Sequence, residues 1–224
     1  MTNPKDYLFY QDDWTTIYCG DCRDILPMLG PVDLVLTDPP FNAGKEFEND
    51  SLSQLEFRAF CNELTLKLFR LKPTNIIVEV GKNDLIMREE LSRYFPYKYS
   101  ICLNYTNSMR NGSVGYANWG LVLWFGVKCF KRYKDRLDSE LHSTKGEFEH
   151  PSPKEVTHYS HLCRMFSPEN GMVCDPCMGS GTTLLAAKGL GRRSIGIEIE
   201  PKYCEIAVKR LRQEVFDFRK ASSK

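Results

Sequence analysis

At 224 residues, with 42% hydrophobic and 26% charged side chains, the chain is long enough for one α/β domain or one domain plus a small insertion, and its composition excludes a fibrous or disordered protein. A net charge of +1 makes no case for a nucleic-acid partner by itself. No apolar run approaches the roughly 18 residues of a membrane span, and the opening MTNPKDYLFYQDD lacks a basic stretch followed by an apolar one, so neither a span nor a leader is expected.

In chain order, Thr16–Cys19 (TIYC) has the make-up of a short strand, followed from Asp21 by a short helix to Leu29. Val32–Leu36 (VDLVL) reads as a buried strand that stops at Thr37-Asp38-Pro39-Pro40, because two prolines cannot continue a central ladder. Leu52–Leu71 carries apolar residues at helical spacing and ends before Pro73. Asn75–Val80 (NIIVEV) is a strand, Asp84–Tyr94 a helix, and Tyr97–Tyr105 and Trp119–Val127 are strands separated by a polar stretch rich in Asn and Gly. A charged, irregular stretch runs from Lys128 to Pro153, then Lys154–Phe166 is helical, Met172–Asp175 a strand and Thr182–Leu190 a helix. Ser194–Ile199 is the last strand, and Pro201 opens a helix to about Arg219. This alternation predicts one domain over 1–224 with a mainly parallel sheet of about seven strands covered on both faces, and ligands bound beyond the carboxyl ends of its strands.

The nine cysteines are scattered and odd in number, which suits free thiols in a reducing cytoplasm. Cys19 with Cys22, and Cys174 with Cys177, form two CxxC pairs, but each falls at the end of a strand and the second encloses Asp175 and Pro176; buried thiols are expected there, and no metal. From Lys128 to Arg136, the basic residues Lys128, Lys131, Arg132, Lys134 and Arg136 face one acid, Asp135, with Phe130 and Tyr133 interleaved. That mixture suits a groove following phosphates, although a solvated loop would share it.

Two segments carry chemistry. In Val173–Thr183 (VCDPCMGSGTT) a strand ends in Asp175, a loop with Gly179 and Gly181 follows, and a helix starts at Thr182; about twenty residues on, the next strand ends in Glu198. Glycines let backbone approach a ligand, and the late carboxylate is placed to accept from ribose hydroxyls. The segment lacks both GxGxxG spacing and the lysine of a triphosphate loop. In Thr37–Asn42 (TDPPFN), Asp38 and the rigidly directed Pro39 carbonyl offer two acceptors for one amino group, and Phe41 a ring on which a base can stack. A stiff turn after a strand is the competing account.

Taken together and in this order, the two segments resemble the amino-methyltransferase family of DNA modification enzymes in its circularly permuted β class, with the catalytic D/S/N-P-P-Y/F motif ahead of the methyl-donor motif. Gly20-Asp21-Cys22 before the first buried strand, His150-Pro151-Ser152-Pro153-Lys154 (similar to the family's HPTxKP), and Gly196-Ile197-Glu198 followed by Tyr203 and Arg210-Leu211 fit the same pattern. The resemblance covers about residues 15–70 and 148–215 and implies a Rossmann-like methyltransferase fold.

It further implies transfer of a methyl group from S-adenosylmethionine to an exocyclic amino group of a DNA base, flipped out or single-stranded. Asp38, Pro39, Pro40 and Phe41 would be catalytic. Asp21, Cys22, Ser152, Lys154, Asp175, Pro176, Cys177, Gly179, Ser180, Gly181, Thr182, Glu198 and Ile199 would line the methyl-donor site. Asn42, Lys45 and the basic residues from Lys128 to Arg136 would meet DNA, with 106–118 and 128–149 as small target-reading insertions. Asp38 points to adenine N6, since cytosine-N4 members more often carry Ser before the two prolines. A cytosine-N4 enzyme, a non-catalytic DNA-binding protein and an RNA methyltransferase on the same scaffold are the alternatives. Cys177 stands where the family usually has an aromatic, and Glu155 where it has Pro. The chain is short for the family, so a homodimer and a cognate restriction endonuclease remain open as partners.

Overall fold

The apolar strand segments assemble into a nine-stranded mixed sheet in a computed structural model describing residues 3–40, 52–80, 85–107, 110–112, 115–140 and 154–213. The strands are β1 (Leu8–Gln11), β2 (Thr15–Cys19), β3 (Leu34–Thr37), β4 (Asn75–Val80), β5 (Tyr97–Tyr105), the hairpin β6 (Arg110–Gly112) and β7 (Gly115–Ala117), β8 (Trp119–Gly126), β9 (Arg136–Ser139), β10 (Met172–Asp175) and β11 (Arg193–Glu198). The helices are α1 (Cys22–Ile25), α2 (Gln54–Arg70), α3 (Leu85–Ser92), α4 (Val156–Phe166), α5 (Thr182–Gly189) and α6 (Pro201–Gln213). The main sheet runs β1-β2-β11-β10-β3-β4-β8-β5-β9, and β6 and β7 pair separately.

The central strands β2, β11, β10, β3 and β4 are parallel, as is the outer pair β5 and β9, whereas β8 runs antiparallel to both β4 and β5. The sheet is therefore wider than the seven strands expected, by the edge strands β1 and β9. From β3 the chain winds through α2 to β4 on one side; from β10 it winds through α5 to β11 on the other. Strand order thus reverses between β3 and β10, the place where open α/β sheets leave a crevice at their carboxyl ends.

Both faces are covered. On one, Phe57, Phe60, Leu64 and Leu68 of α2 pack with Ile76, Val78, Leu123 and Phe125 of the sheet; on the other, Leu162 and Phe166 of α4 and Ala186 of α5 pack on Leu34, Leu36, Ile77 and Val173. A third cluster joins Cys204, Ala207 and Leu211 of α6 to Ile17 and Leu184. Helix α2 starts where the sequence signals it: Ser53 caps the Glu56 amide while the Glu56 carboxylate accepts from the Ser53 amide, a reciprocal box.

Gly126 ends β8 at φ 138, where a Cβ would collide with Asn75 and the Thr74 carbonyl. Asn75 is fully buried; its Oδ1 accepts from the Trp124 indole and the Val127 and Lys128 amides, and its Nδ2 donates to the Lys128 and Phe166 carbonyls. This one side chain fixes the exit of the chain from β8 into the basic segment.

Candidate active site

The carboxyl ends of β3, β10 and β4 lie side by side, so topology alone brings Asp38, Asp175 and Glu79 to one edge. Asp38 follows β3 directly. Its side chain is 25% exposed; Oδ2 is 2.9 Å from the Lys154 ammonium, while Oδ1 is buried and has no hydrogen-bond partner among the described residues. Lys154 also donates to Glu79 Oε1 at 2.7 Å, and the Tyr159 hydroxyl donates to Glu79 Oε2 at 3.1 Å. Burial pushes the Asp38 carboxyl up to about 7, against the pull of Lys154 and with the help of Glu79 and Asp175. Burial alone would lower Lys154, but the carboxylates of Asp38 and Glu79 outweigh it and hold the ammonium well above its ordinary range.

The glycine loop lies on the other side of the crevice. Asp175 is buried, accepting from Thr183 Oγ1 at 2.5 Å and from the Cys177 amide at 3.1 Å; burial raises it to about 6, with Thr183 opposing. Gly179 and Gly181 have φ of 50 and 81, left-handed conformations that favour glycine. Glu198 accepts from the Gly179 amide at 2.9 Å and the Glu200 amide at 2.9 Å, which ties the loop to the end of β11. Burial raises the Glu198 carboxyl despite those two donors. Arg210 of α6 donates to the Ser180 carbonyl at 2.7 Å, to Ser180 Oγ at 2.9 Å and to Thr182 Oγ1 at 3.3 Å, bracing the loop from behind.

Asp21 caps α1 through the Arg23 amide and takes the Arg23 guanidinium on both oxygens. Burial pushes its carboxyl up, but Arg23 wins and holds it below its ordinary value. Gly20 donates to the Glu198 carbonyl at 2.9 Å, which keeps this turn beside Glu198. Cys22 is buried, and its hydrogen bond with Cys177, together with burial, raises the Cys177 thiol well above its usual range. All nine cysteines are free, and among the described residues no three His, Cys, Asp or Glu side chains cluster to hold a metal.

The structure thus gathers Asp38, Pro39, Pro40, Lys154, Asp175, Pro176, Cys177, Gly179, Ser180, Gly181, Thr182, Glu198, Ile199, Asp21 and Cys22 around the ends of neighbouring strands. Phe41, Asn42, Lys45 and Ser152 lie outside the described residues, as do 141–149 of the second expected insertion. The start of the basic segment is not brought to this edge, whereas its end, Arg136, pairs with Cys102 level with Leu121 and Val80 and so reaches the same edge on the outer strand β9. Because β8 is antiparallel to β4, Lys128 emerges beside Asn75, at the amino end of β4, about 17 Å of strand away from the active edge. Lys131 contacts the carbonyl of Met165 at the end of α4, and the ammonium groups of Lys128 and Lys131 lie over Phe130 and Tyr133, covering the rings expected to stack on bases. Arg136 pairs with Asp138 along the exposed edge strand β9.

Sequence reasoning missed Glu79, Tyr159 and the bracing role of Arg210. The signal for Glu79 was present: a lone carboxylate inside the apolar run NIIVEV must find a partner when that strand is buried on both faces.

A methyl donor with a ribose, an amino-acid end and a sulfonium fits this donor set: a buried carboxylate, Asp175, and a half-buried one, Glu198, flank a glycine loop whose backbone a ligand can approach. Fold and site together define a methyltransferase that acts on amino groups. A family model described as DNA methylase (N6_N4_Mtase) matches residues 119–209. The chain is 30% identical over 252 aligned positions to the Type II methyltransferase M.HinfI of Haemophilus influenzae, across 90% of this chain and 69% of that one. It is 28% identical to M.HpaI of Haemophilus parainfluenzae, across 84% of this chain and 70% of the relative. Among solved structures, the complex of M1.HpyAVI with SAM superposes with a TM-score of 0.70 at 25% identity, over 88% of this chain and 98% of that one. The PvuII cytosine-N4-specific methyltransferase shares the fold, with a TM-score of 0.76 at 17% identity over 95% and 92% of the two chains.

The chain belongs to the N6/N4 DNA methylase family, in which S-adenosylmethionine is the methyl donor. Its Asp-Pro-Pro segment precedes its glycine loop, the permuted order expected from the sequence. Among the described residues no helix is long and apolar enough to cross a membrane.

Proposed function

We propose that this protein methylates the exocyclic N6 of adenine in DNA. The observation that carries the reading is Asp38 Oδ1, a buried carboxylate oxygen with no hydrogen-bond partner among the described residues, directly before Pro39 and its carbonyl. An exocyclic amino nitrogen is a poor nucleophile because its lone pair is delocalised into the ring. Two acceptors on its hydrogens, Asp38 and the Pro39 carbonyl, favour a pyramidal nitrogen whose lone pair can be aimed at a methyl group, catalysis by alignment and charge stabilisation. Such a pocket takes a base only when it is flipped out or already single-stranded. S-adenosylmethionine supplies the methyl group as a sulfonium.

In this reading, Glu198 accepts from the ribose, Asp21 and Ile199 border the adenine end, and Asp175 to Thr182 surround the methionine end with Cys22, Ser152 and Lys154 beside them. Phe41 stacks on the target base, with Pro40 stiffening the segment and Asn42 and Lys45 near the DNA backbone. Residues 106–118, rising from the active edge between β5 and β8, are assigned to target reading, together with the part of 128–149 that follows β9. A homodimer would extend the DNA-binding surface of so short a chain, and a cognate endonuclease would account for site-specific methylation.

The choice of adenine rests on Asp at position 38. Long unmethylated duplex DNA incubated with protein and donor, then digested to nucleosides, should yield N6-methyldeoxyadenosine; N4-methyldeoxycytidine as the product would overturn the choice. Donor binding without transfer to any DNA would favour a non-catalytic DNA-binding protein, and preference for RNA in competition would move the substrate class. Asp38→Ala should abolish most transfer and leave donor affinity largely intact, measured by calorimetry; equal loss of both would remove Asp38 from the amine side of the site.

A further inference from the structure

We infer that Glu79, backed by Tyr159, is a positioning residue for amino-methyl transfer: it holds the Lys154 ammonium on one oxygen of Asp38 and so leaves the other oxygen as the acceptor for the target amine. The inference rests on the reading of Asp38 given above.

Glu79 lies in β4, every residue of which is buried, and its side chain is 7% exposed. A carboxylate there would be costly without partners, and both of its oxygens are taken, by Lys154 and by the buried Tyr159 hydroxyl. Room for it is built into the neighbouring strand: a Cβ on Gly120 of β8 would come within 3.1 Å of Glu79 Oε1. The Lys154 ammonium is thus suspended between two carboxylates, 2.7 Å from Glu79 and 2.9 Å from Asp38. The Lys154 contact falls on Oδ2, and Oδ1 has no hydrogen-bond partner among the described residues. Without Glu79, the ammonium loses the contact that draws it toward β4 and would settle across both oxygens of Asp38, competing with the amine.

The charges that face Asp38 come from four elements: Lys154 ahead of α4, Tyr159 on α4, Glu79 on β4 and Asp175 on β10, with Tyr105 of β5 facing Lys154. Lys154 and Glu79 act on Asp38 with opposite signs. Asp38 must be ionised to accept from the amine, so transfer falls as pH drops through its titration, giving an acid limb. Removing the anion at 79 makes Asp38 less basic and moves that limb to lower pH; removing the cation at 154 moves it to higher pH. A residue that served packing alone would move neither.

The test is single-turnover transfer to long unmethylated duplex DNA across the pH range, with donor affinity measured by calorimetry and folding by thermal unfolding. Glu79→Gln should shift the acid limb down by about one pH unit, lower the plateau rate roughly tenfold, and bind the donor within about threefold of the parent protein. Lys154→Met should shift the limb up by a similar amount. An unmoved limb in Glu79→Gln, or loss of donor affinity in step with rate, overturns the inference. Should Glu79→Gln fail to fold, Tyr159→Phe carries the test: loss of its hydroxyl strengthens the hold of Glu79 on Lys154 and moves the limb up by roughly half a unit, and an unmoved limb refutes it. Asp38→Asn separates the two layers, because wild-type transfer by that variant would sink the assignment of Asp38 itself.

Discussion

Gly181 joins the fold to the proposed donor site, and its replacement by alanine strains both. It precedes α5 at φ 81 and ψ 25, donates to the Met178 carbonyl at 2.9 Å and accepts from the Leu185 amide at 3.0 Å. An alanine in this left-handed conformation costs about 1–2 kcal/mol. Its Cβ would also lie 2.9 Å from the Ala207 Cβ and 3.4 Å from the Ala207 Cα, so α6 must give way, adding about 1–3 kcal/mol of overpacking. Gly191 supplies the control. Its φ is 67, yet a Cβ there meets nothing within 4 Å, so Gly191→Ala should show the backbone cost alone.

Urea unfolding followed by tryptophan fluorescence should therefore rank Gly181→Ala below Gly191→Ala by about 1–3 kcal/mol, and the former should lose on the order of 10 °C in Tm. Displacing α6 also displaces Arg210, one turn beyond Ala207, which braces Ser180 and Thr182. Donor affinity in Gly181→Ala should then fall beyond what reduced stability explains, as read by calorimetry well below the melting range. Equal stability of the two variants would show that α6 does not press on the loop. Unchanged donor affinity would show that the loop is not the binding element.

Arg210→Leu should keep the packing of α6 but release the Ser180 carbonyl, weakening donor binding about tenfold with little change in the rate at saturating donor; a change confined to the rate would contradict a role in holding the loop. Replacing Lys128 and Lys131 together by Gln should leave transfer to a duplex of about one helical turn within twofold, because the chain there lies beside Asn75 and Met165, at the end of the sheet away from Asp38. A tenfold loss with that short duplex would mean that DNA follows a path across the far edge.

What was legible in the sequence follows from burial. Strands β3, β4, β10 and β11 lie inside the sheet with helices on both faces, so they read as short apolar runs ended by Pro, Gly or a carboxylate. The edge strands did not. β1 (LFYQ) buries no residue and β9 (RLDS) buries only Leu137, so neither carries a periodic signal, and both owe their conformation to backbone pairing with a neighbour. The Asp-Pro-Pro and glycine segments were readable because each is local: a few consecutive residues specify a turn and its chemistry. Glu79 was not, since its meaning lies in Lys154 and Tyr159, 75 and 80 residues away.

The basic segment shows a different limit. Its charge and aromatic content were read as they stand, but its position depends on the direction of β8, which an alternating strand-and-helix reading takes as parallel. The sequence did contain the correction. The stretch Thr106–Asn118 that separates β5 from β8 has no helical pattern, whereas the crossover of a parallel pair usually runs through a helix. An antiparallel connection follows, and with it the geometry: the chain leaving β8 must emerge at the edge away from Asp38, while the connection itself lies at the same edge as Asp38. On the function proposed above, the segment placed to reach a base beside Asp38 is therefore the polar, Asn- and Gly-rich hairpin stretch, whose two-stranded form is of a width that enters a major groove, rather than the start of the more basic segment that composition singles out.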